Sequence, residues 1–187
     1  MAENSLTDKL CNAAASGNLP DVLFWLQNGA DVNGLNKYKR TALQVVMLGS
    51  TSVVEALLAA GARPDVRDPV LGLTVTHDAA RGGFAHTVRA LLQHGANVDL
   101  VDDRGNLPLH LAATAGHLDA VRLLIGRTAE PRMPDNQGRT AGQLARECEH
   151  LPGRMATANY IEEYLSSREY FSYWKIMFYQ HNNSKLQ

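Results

Sequence analysis

The sequence predicts an all-α repeat fold, a solenoid of helix-turn-helix units joined by hairpin-like fingers. Three observations in its 187 residues carry that expectation. The first is a 33-residue period: Gln44, His77, His110 and Gln143 fall in step, and Val46, Ala79, Ala112 and Ala145 follow them in a second phase. Thr41, Thr74 and Thr140 keep a third phase, with Leu107 as its exception. The second observation is a glycine closing each apolar helical run, Gly29 after VLFWLQN, Gly61 after VEALLAA and Gly95 after VRALLQH. A residue free to adopt positive φ is what a helix stop needs. The third is the polar stretch after each glycine, ADVNGLNKYKR, ARPDVRDPVLG and ANVDLVDDRG, whose Asn, Asp, Pro and Gly residues are turn chemistry. One such unit cannot bury its apolar face alone, so the units must stack.

The register places five units at 8–40, 41–73, 74–106, 107–139 and 140–165, one domain over 8–165, followed by an aromatic-rich tail at 166–187. In the first, worn unit, Ala13-Ala14-Ala15 reads as the opening of a short helix that Ser16-Gly17-Asn18 breaks. Val22, Trp25 and Leu26 share one face of the next helix. The second unit is irregular in two ways. It carries Val46-Met47 where the third and fourth carry Ala79-Ala80 and Ala112-Ala113. It is also short, 17 residues from Gln44 to Gly61 against 18 from His77 to Gly95, and the following finger regains the residue through Pro69. The expectation is a shortened or distorted first helix there, with Met47 and Leu48 displaced partly toward solvent. The fourth unit, GNLPLHLAATAGHLDAVRLLI, is the most regular. The fifth begins with DNQGRTAGQLARE, is interrupted by Leu151-Pro152-Gly153, and closes with a helix from about Thr157 to Ser166 that has Ile161, Tyr164 and Leu165 on one face. Eight of the twelve aromatics lie between Tyr160 and Tyr179, so the tail reads as a cap on the last repeat, a poorly ordered end, or a docking segment.

Composition narrows the function classes. A net charge of −1 argues against a general electrostatic grip on nucleic acid or anionic lipid. The start MAENSLTDKL has no signal-peptide core, and no run of eighteen apolar residues occurs, so a soluble intracellular protein is expected. Cys11 and Cys148 fall in the first and last units, too far apart to bridge, and read as reduced packing residues. Arg81-Gly82-Gly83 is no phosphate loop, and no nucleophile set, zinc spacing or nucleotide fingerprint is present. No enzyme, metal or cofactor is expected.

The candidates for function are therefore contact residues. His77 and His110 occupy the slot where an imidazole ties finger to helix, and read as structural. Asp78 stands where the other units have Val45, Leu111 and Leu144. A buried, unpaired carboxylate there would be costly, so Asp78 is expected on the exposed inner edge, either as a solvated acid or as an anchor for a partner's Arg or Lys. Asp68-Pro69 is plain turn chemistry or a flanking contact. Arg81 pairs with Asp78 within the helix or joins it at the surface. Phe84, in the slot of Thr51 and His117, is the second helix's first apolar anchor or a contact residue.

The segments TALQVV, TVTHDA, LPLHLA and TAGQLA follow the ankyrin pattern T-P-L-H-x-A. More specifically, TALQVVMLGS, THDAARGGF and GNLPLHLAATAGHL resemble the ankyrin-repeat inhibitors of cyclin-dependent kinases 4 and 6, over about residues 8–150. That resemblance implies a stoichiometric inhibitor, monomeric, cytoplasmic and nuclear, that restrains the passage from G1 to S. It would bind the kinase subunit, with or without cyclin D, beside its ATP cleft and reduce cyclin and ATP engagement allosterically. It further implies that Asp78 meets a kinase arginine with Asp68 and Arg81 beside it, and that Asn36, Tyr38, Gln44, Val46 and Met47 supply the neighbouring surface, next to Phe84. One departure is His86, where the family often carries an acid. The alternative expectation is an ankyrin adaptor for a non-kinase partner such as a transcription factor.

Overall fold

A computed structural model describes the backbone of residues 5–147 and 153–183, and the side chains of 5–147 and 153–169. Among the described residues ten helices run in pairs: α1 (Leu6–Ala15) with α2 (Leu19–Gln27), α3 (Ala42–Val45) with α4 (Thr51–Ala59), α5 (Val75–Arg81) with α6 (Ala85–Gln93), α7 (Pro108–Ala115) with α8 (Leu118–Ile125), and α9 (Ala141–Arg146) with α10 (Arg154–Asn183). The second helices form one continuous layer, each from α2 to α10 packed on the next. The first helices form another, α1 on α3 and α5 on α7 on α9, but α3 and α5 make no comparable contact. The inner layer is therefore broken at one place, between the second and third units.

The same device starts the first helices of the second to fifth units. Gln44 Oε1 accepts the Thr41 N–H at 2.9 Å and Gln143 Oε1 accepts the Thr140 N–H at 2.8 Å, reciprocated by the threonine hydroxyls. This capping box satisfies donors that a helix N-terminus otherwise leaves unmade. In the third and fourth units an imidazole replaces the amide: His77 Nδ1 accepts the Thr74 N–H at 3.1 Å, and His110 Nδ1 accepts the Leu107 N–H at 3.0 Å. With Nδ1 accepting, Nε2 carries the proton and reaches the Asn106 carbonyl at 3.0 Å or the Met133 carbonyl at 2.9 Å. Each histidine thus ties its helix to the following finger. Both rings are fully buried, and burial holds their pKa values below the ordinary histidine range.

The fingers are hydrogen-bonded turns, each organised by one side chain. Asn36 Oδ1 accepts the N–H groups of Tyr38 and Arg40, Asp102 Oδ1 those of Arg104 and Asn106, and Asp135 Oδ1 those of Gln137 and Arg139. Asp68 is the fourth member, and its turn closes on Leu73, one residue further along than in the others. The residue that the second unit loses in its helix reappears in that turn.

Ala79, Ala80, Ala112, Ala113 and Ala145 are buried completely, and their small side chains let α5, α7 and α9 approach closely. Leu10, Leu57, Leu91, Leu124 and Ile161 fill the space between layers, each contributing about 1.5–3 kcal/mol by leaving water. Cys11 is among these packing residues, a free thiol pushed up to about 11 by burial and then by the nearby Asp8. Cys148 lies outside the described residues.

Two local expectations change. Ala13-Ala14-Ala15 closes α1 instead of opening it, because the helix starts earlier, where the Ser5 hydroxyl accepts the Asp8 N–H at 3.1 Å. The last helix begins at Arg154 and runs to Asn183, past the expected stop at Ser166, so the division after residue 165 falls within one helix. No proline or glycine occurs after Gly153 to end it. Its Ala158 and Ile161 are buried, with Tyr164 and Leu165 partly so. No helix among the described residues is long and apolar enough to cross a membrane.

Candidate functional site

The break in the inner layer begins with α3, which has four residues where α5 has seven and α7 eight. Val46 leaves the helix with φ −57° and ψ 144°, and the chain that would have formed further helix instead closes in a tight turn, the Ser50 N–H donating to the Met47 carbonyl at 2.9 Å. Bulky Val46 and Met47 occupy positions that alanines fill in the tightly packed units. Their backbone groups find other partners. The Met47 N–H donates to the Ala14 carbonyl at 3.0 Å, and the Leu48 carbonyl accepts from the Thr87 hydroxyl at 2.5 Å. Met47 is 47 % exposed, whereas Leu48 is half-buried against the core.

The missing turns leave an open groove, one part lined by Arg40, Gln44, Leu48, Asp78, Arg81 and Phe84, and continuing past Val75 to the fingertip residues Val70 and Leu71. Asp78 projects into it from α5 with its side chain 34 % exposed. Arg81 Nη2, one turn on, donates to Asp78 Oδ1 at 2.6 Å. Burial raises the pKa of this carboxyl above its ordinary value, Asp68 adds to the rise, and Arg81, His77 and Arg40 oppose it. Asp78 is thus neither fully solvated nor turned into the core. It is a partly desolvated carboxylate with one oxygen engaged by its own helix. Phe84, 38 % exposed, packs its ring against Gly82 and near Gly49, at the N-cap of α6.

The structure separates the sequence candidates into three groups. Gln44, Asp78, Arg81 and Phe84 meet around the groove, with Met47 exposed just after α3. Tyr38 sits apart at the first fingertip, 69 % exposed, with the Lys37 ammonium 4.9 Å from its ring centre. Val46 and Asp68 also line the groove, while they and Asn36 serve the fold as well. Both oxygens of Asp68 are taken by backbone donors, Val70 and Leu71 on Oδ1 and Leu73 on Oδ2. Burial alone would raise its pKa, but those three N–H groups outweigh it and hold the carboxyl low. Asn36 is likewise committed to its own finger, and Val46 is 7 % exposed, a floor to the groove and not a surface residue. The periodicity contains this answer, because Asn36, Asp102 and Asp135 share one phase and Asp68 differs from it by the single displaced residue.

Sequence reasoning passed over Arg40, Val70 and Leu71, all of which line the groove. The signal for Arg40 is its phase partner Arg139, which is paired with acids that the first unit lacks. His86 is exposed in the first turn of α6. No group of three or more His, Cys, Asp or Glu side chains suited to a metal ion is present among the described residues.

The family described as "Ankyrin repeats (3 copies)" matches residues 10–99, 43–135 and 77–152. Among curated proteins, human (Homo sapiens) cyclin-dependent kinase 4 inhibitor B is 46 % identical over 110 residues, 59 % of this chain and 80 % of the relative. The mouse (Mus musculus) protein of that name is 44 % identical over 110 residues, covering 59 % and 85 % respectively. Human cyclin-dependent kinase inhibitor 2A is 44 % identical over 112 residues, 60 % of this chain and 72 % of the relative. The periodic caps, the interrupted inner layer and these similarities agree: the chain is an ankyrin-repeat protein and belongs to the family of cyclin-dependent kinase 4 inhibitor B and cyclin-dependent kinase inhibitor 2A.

Proposed function

We propose that this chain is a stoichiometric protein inhibitor of cyclin-dependent kinases 4 and 6, a negative regulator of G1/S progression that acts by binding and carries no catalysis of its own. Relatives named as inhibitors of cyclin-dependent kinases support the reading. The structural observation that carries it is the groove at the α3–α5 break, where a half-buried carboxylate stands beside exposed apolar residues. A charge already stripped of part of its water loses little more when a partner covers it, and gains a strong charge-assisted bond to a guanidinium. Asp78 is the anchor, with Arg81, Gln44, Phe84, Met47 and Tyr38 around it, Val46 beneath, and Asn36 and Asp68 holding the flanking fingers in shape. The kinase subunit is held beside its ATP cleft in a conformation that engages cyclin and ATP poorly. An inhibitor that works by shifting this equilibrium must bind the distorted state more tightly than the active one. Such a protein acts in cytoplasm and nucleus.

The test is titration of the protein into a cyclin D–kinase 4 or 6 assay, with binding to the kinase subunit measured in parallel. Asp78→Ala is expected to weaken binding by about 2–5 kcal/mol, the range for removing one side of a desolvated charge pair, with thermal stability retained. Kinase activity untouched by excess wild-type protein, or binding unchanged by the substitution, rejects the proposal.

A further inference from the structure

The groove holds a second charge, Arg40, which lies near enough to Asp68 and Asp78 to lower the pKa of each but is paired directly with neither. Arg40 ends the first finger, lines both parts of the groove, and is half-buried. Its counterparts at 33-residue steps are Leu73, Asn106 and Arg139. Where that slot is polar elsewhere, the side chain turns back onto the acidic finger anchor. Asn106 Nδ2 donates to Asp102 Oδ2 at 3.0 Å, and Arg139 donates to Asp135 Oδ2 through Nε at 3.1 Å and Nη2 at 2.9 Å. Arg139 also reaches Glu147 at 3.2 Å. The first unit removes both acids. Its anchor is the neutral Asn36, and the position equivalent to Glu147 is Leu48. Among the described residues Arg40 makes no ion pair.

Gln44 adds an independent sign of an unmade contact. Its Oε1 caps α3, but its Nε2 is buried and has no acceptor, whereas the corresponding Nε2 of His77 and of His110 bonds the next finger. A buried donor without an acceptor is unfavourable, so this wall of the groove is incompletely satisfied by the chain itself.

We propose that Arg40 receives an acidic side chain of the kinase, so that the groove reads a pair of opposite charges, a base at Asp78 and an acid at Arg40. This rests on the function proposed above and adds a residue to its recognition surface. A carboxylate suits the site, since a guanidinium binds it in two-pronged geometry. The opposed signs also set orientation, because a partner docked in reverse would bring like charges together at both points.

Two substitutions test it in binding measurements with the purified kinase subunit, each paired with a thermal melt. Arg40→Glu is expected to lower affinity at least 30-fold, and a single Glu→Lys or Asp→Lys change on the kinase should restore it. Asn36→Asp recreates the acid, Asp135, that Arg139 has in the fourth unit. It should raise the melting temperature while lowering kinase affinity about tenfold, a pairing of effects that a purely structural arginine does not give. Should Arg40→Glu or Asn36→Asp bind within threefold of wild type while Asp78→Ala loses affinity, the inference is overturned and the kinase reading stands. Should wild type itself fail to bind, both fall.

Discussion

The Thr87 hydroxyl, on a second helix, donates to the Leu48 carbonyl at 2.5 Å and so closes the backbone that the shortened α3 leaves open. Thr87 is buried in α6, and the bond crosses from the third unit to the second beside the break in the inner layer. Replacement by the isosteric valine keeps the volume and strands the carbonyl. Thr87→Val is expected to destabilise the fold by about 1–2 kcal/mol, the range for a half-buried acceptor left unsatisfied, as measured by urea unfolding.

Thr76 shows the opposite balance. It is fully buried in α5, its hydroxyl has no partner, and its slot holds Leu43 and Leu109 in the neighbouring units. Thr76→Val removes an unpaired polar group at nearly constant shape and should stabilise the protein by about 1 kcal/mol. A lower urea midpoint for the valine variant would contradict this.

Each finger has one residue in the left-handed region, Gly72, Gly105 and Gly138 in three of them and Lys39, at φ 58°, in the first. A side chain is strained there, although glycine gives back part of the gain through its freer unfolded chain. Lys39→Gly is expected to raise stability by about 0.5 kcal/mol. The reverse change, Gly105→Ala, should lower it by more than about 1 kcal/mol, since the added carbon also runs into Asn136. Calorimetric melts of the two variants should shift in opposite directions.

Stability should fall on mild acidification. The pKa values of His77 and His110 lie below the ordinary 6.5 because both rings are buried and Nδ1 is already an acceptor. Below about pH 6.5 the unfolded chain therefore binds protons that the folded one refuses, and the free energy of unfolding drops as pH falls. Above that value these groups contribute no slope. Asp78 has the opposite sign, its raised pKa favouring the folded state as acid is added above the ordinary carboxylate range. Denaturation midpoints between pH 8 and 5 should decline from about 6.5 downward, and His77→Gln, the residue natural to this slot in Gln44 and Gln143, should flatten the decline.

The fold was readable because it is written several times. Gln44, His77, His110 and Gln143 mark the same cap in four units, and any one of them would have been a weak signal. The short α3 was readable from a missing residue and from Val46-Met47 in place of two alanines. Contact residues were harder, since surface and turn roles use the same residue types. Asn36 and Asp68 look like polar contacts until they are aligned with Asp102 and Asp135, when their place as finger anchors becomes plain. Val46 shows how poorly residue type separates the roles, since it is nearly buried and still lines the groove. Arg40 escaped notice because a lone arginine before a capping threonine is ordinary, and only the acids it lacks set it apart.

A linear array in which each unit depends on its neighbours need not be equally cooperative along its length. With no seam between α3 and α5 comparable to the others, the second and third units are joined mainly through α4 on α6 and by isolated bonds, while every other junction has two helical seams. Native-state hydrogen exchange should resolve two foldons, residues up to about Ala60 opening before the alanine-packed remainder. A partner that covers this junction would stiffen the weaker half.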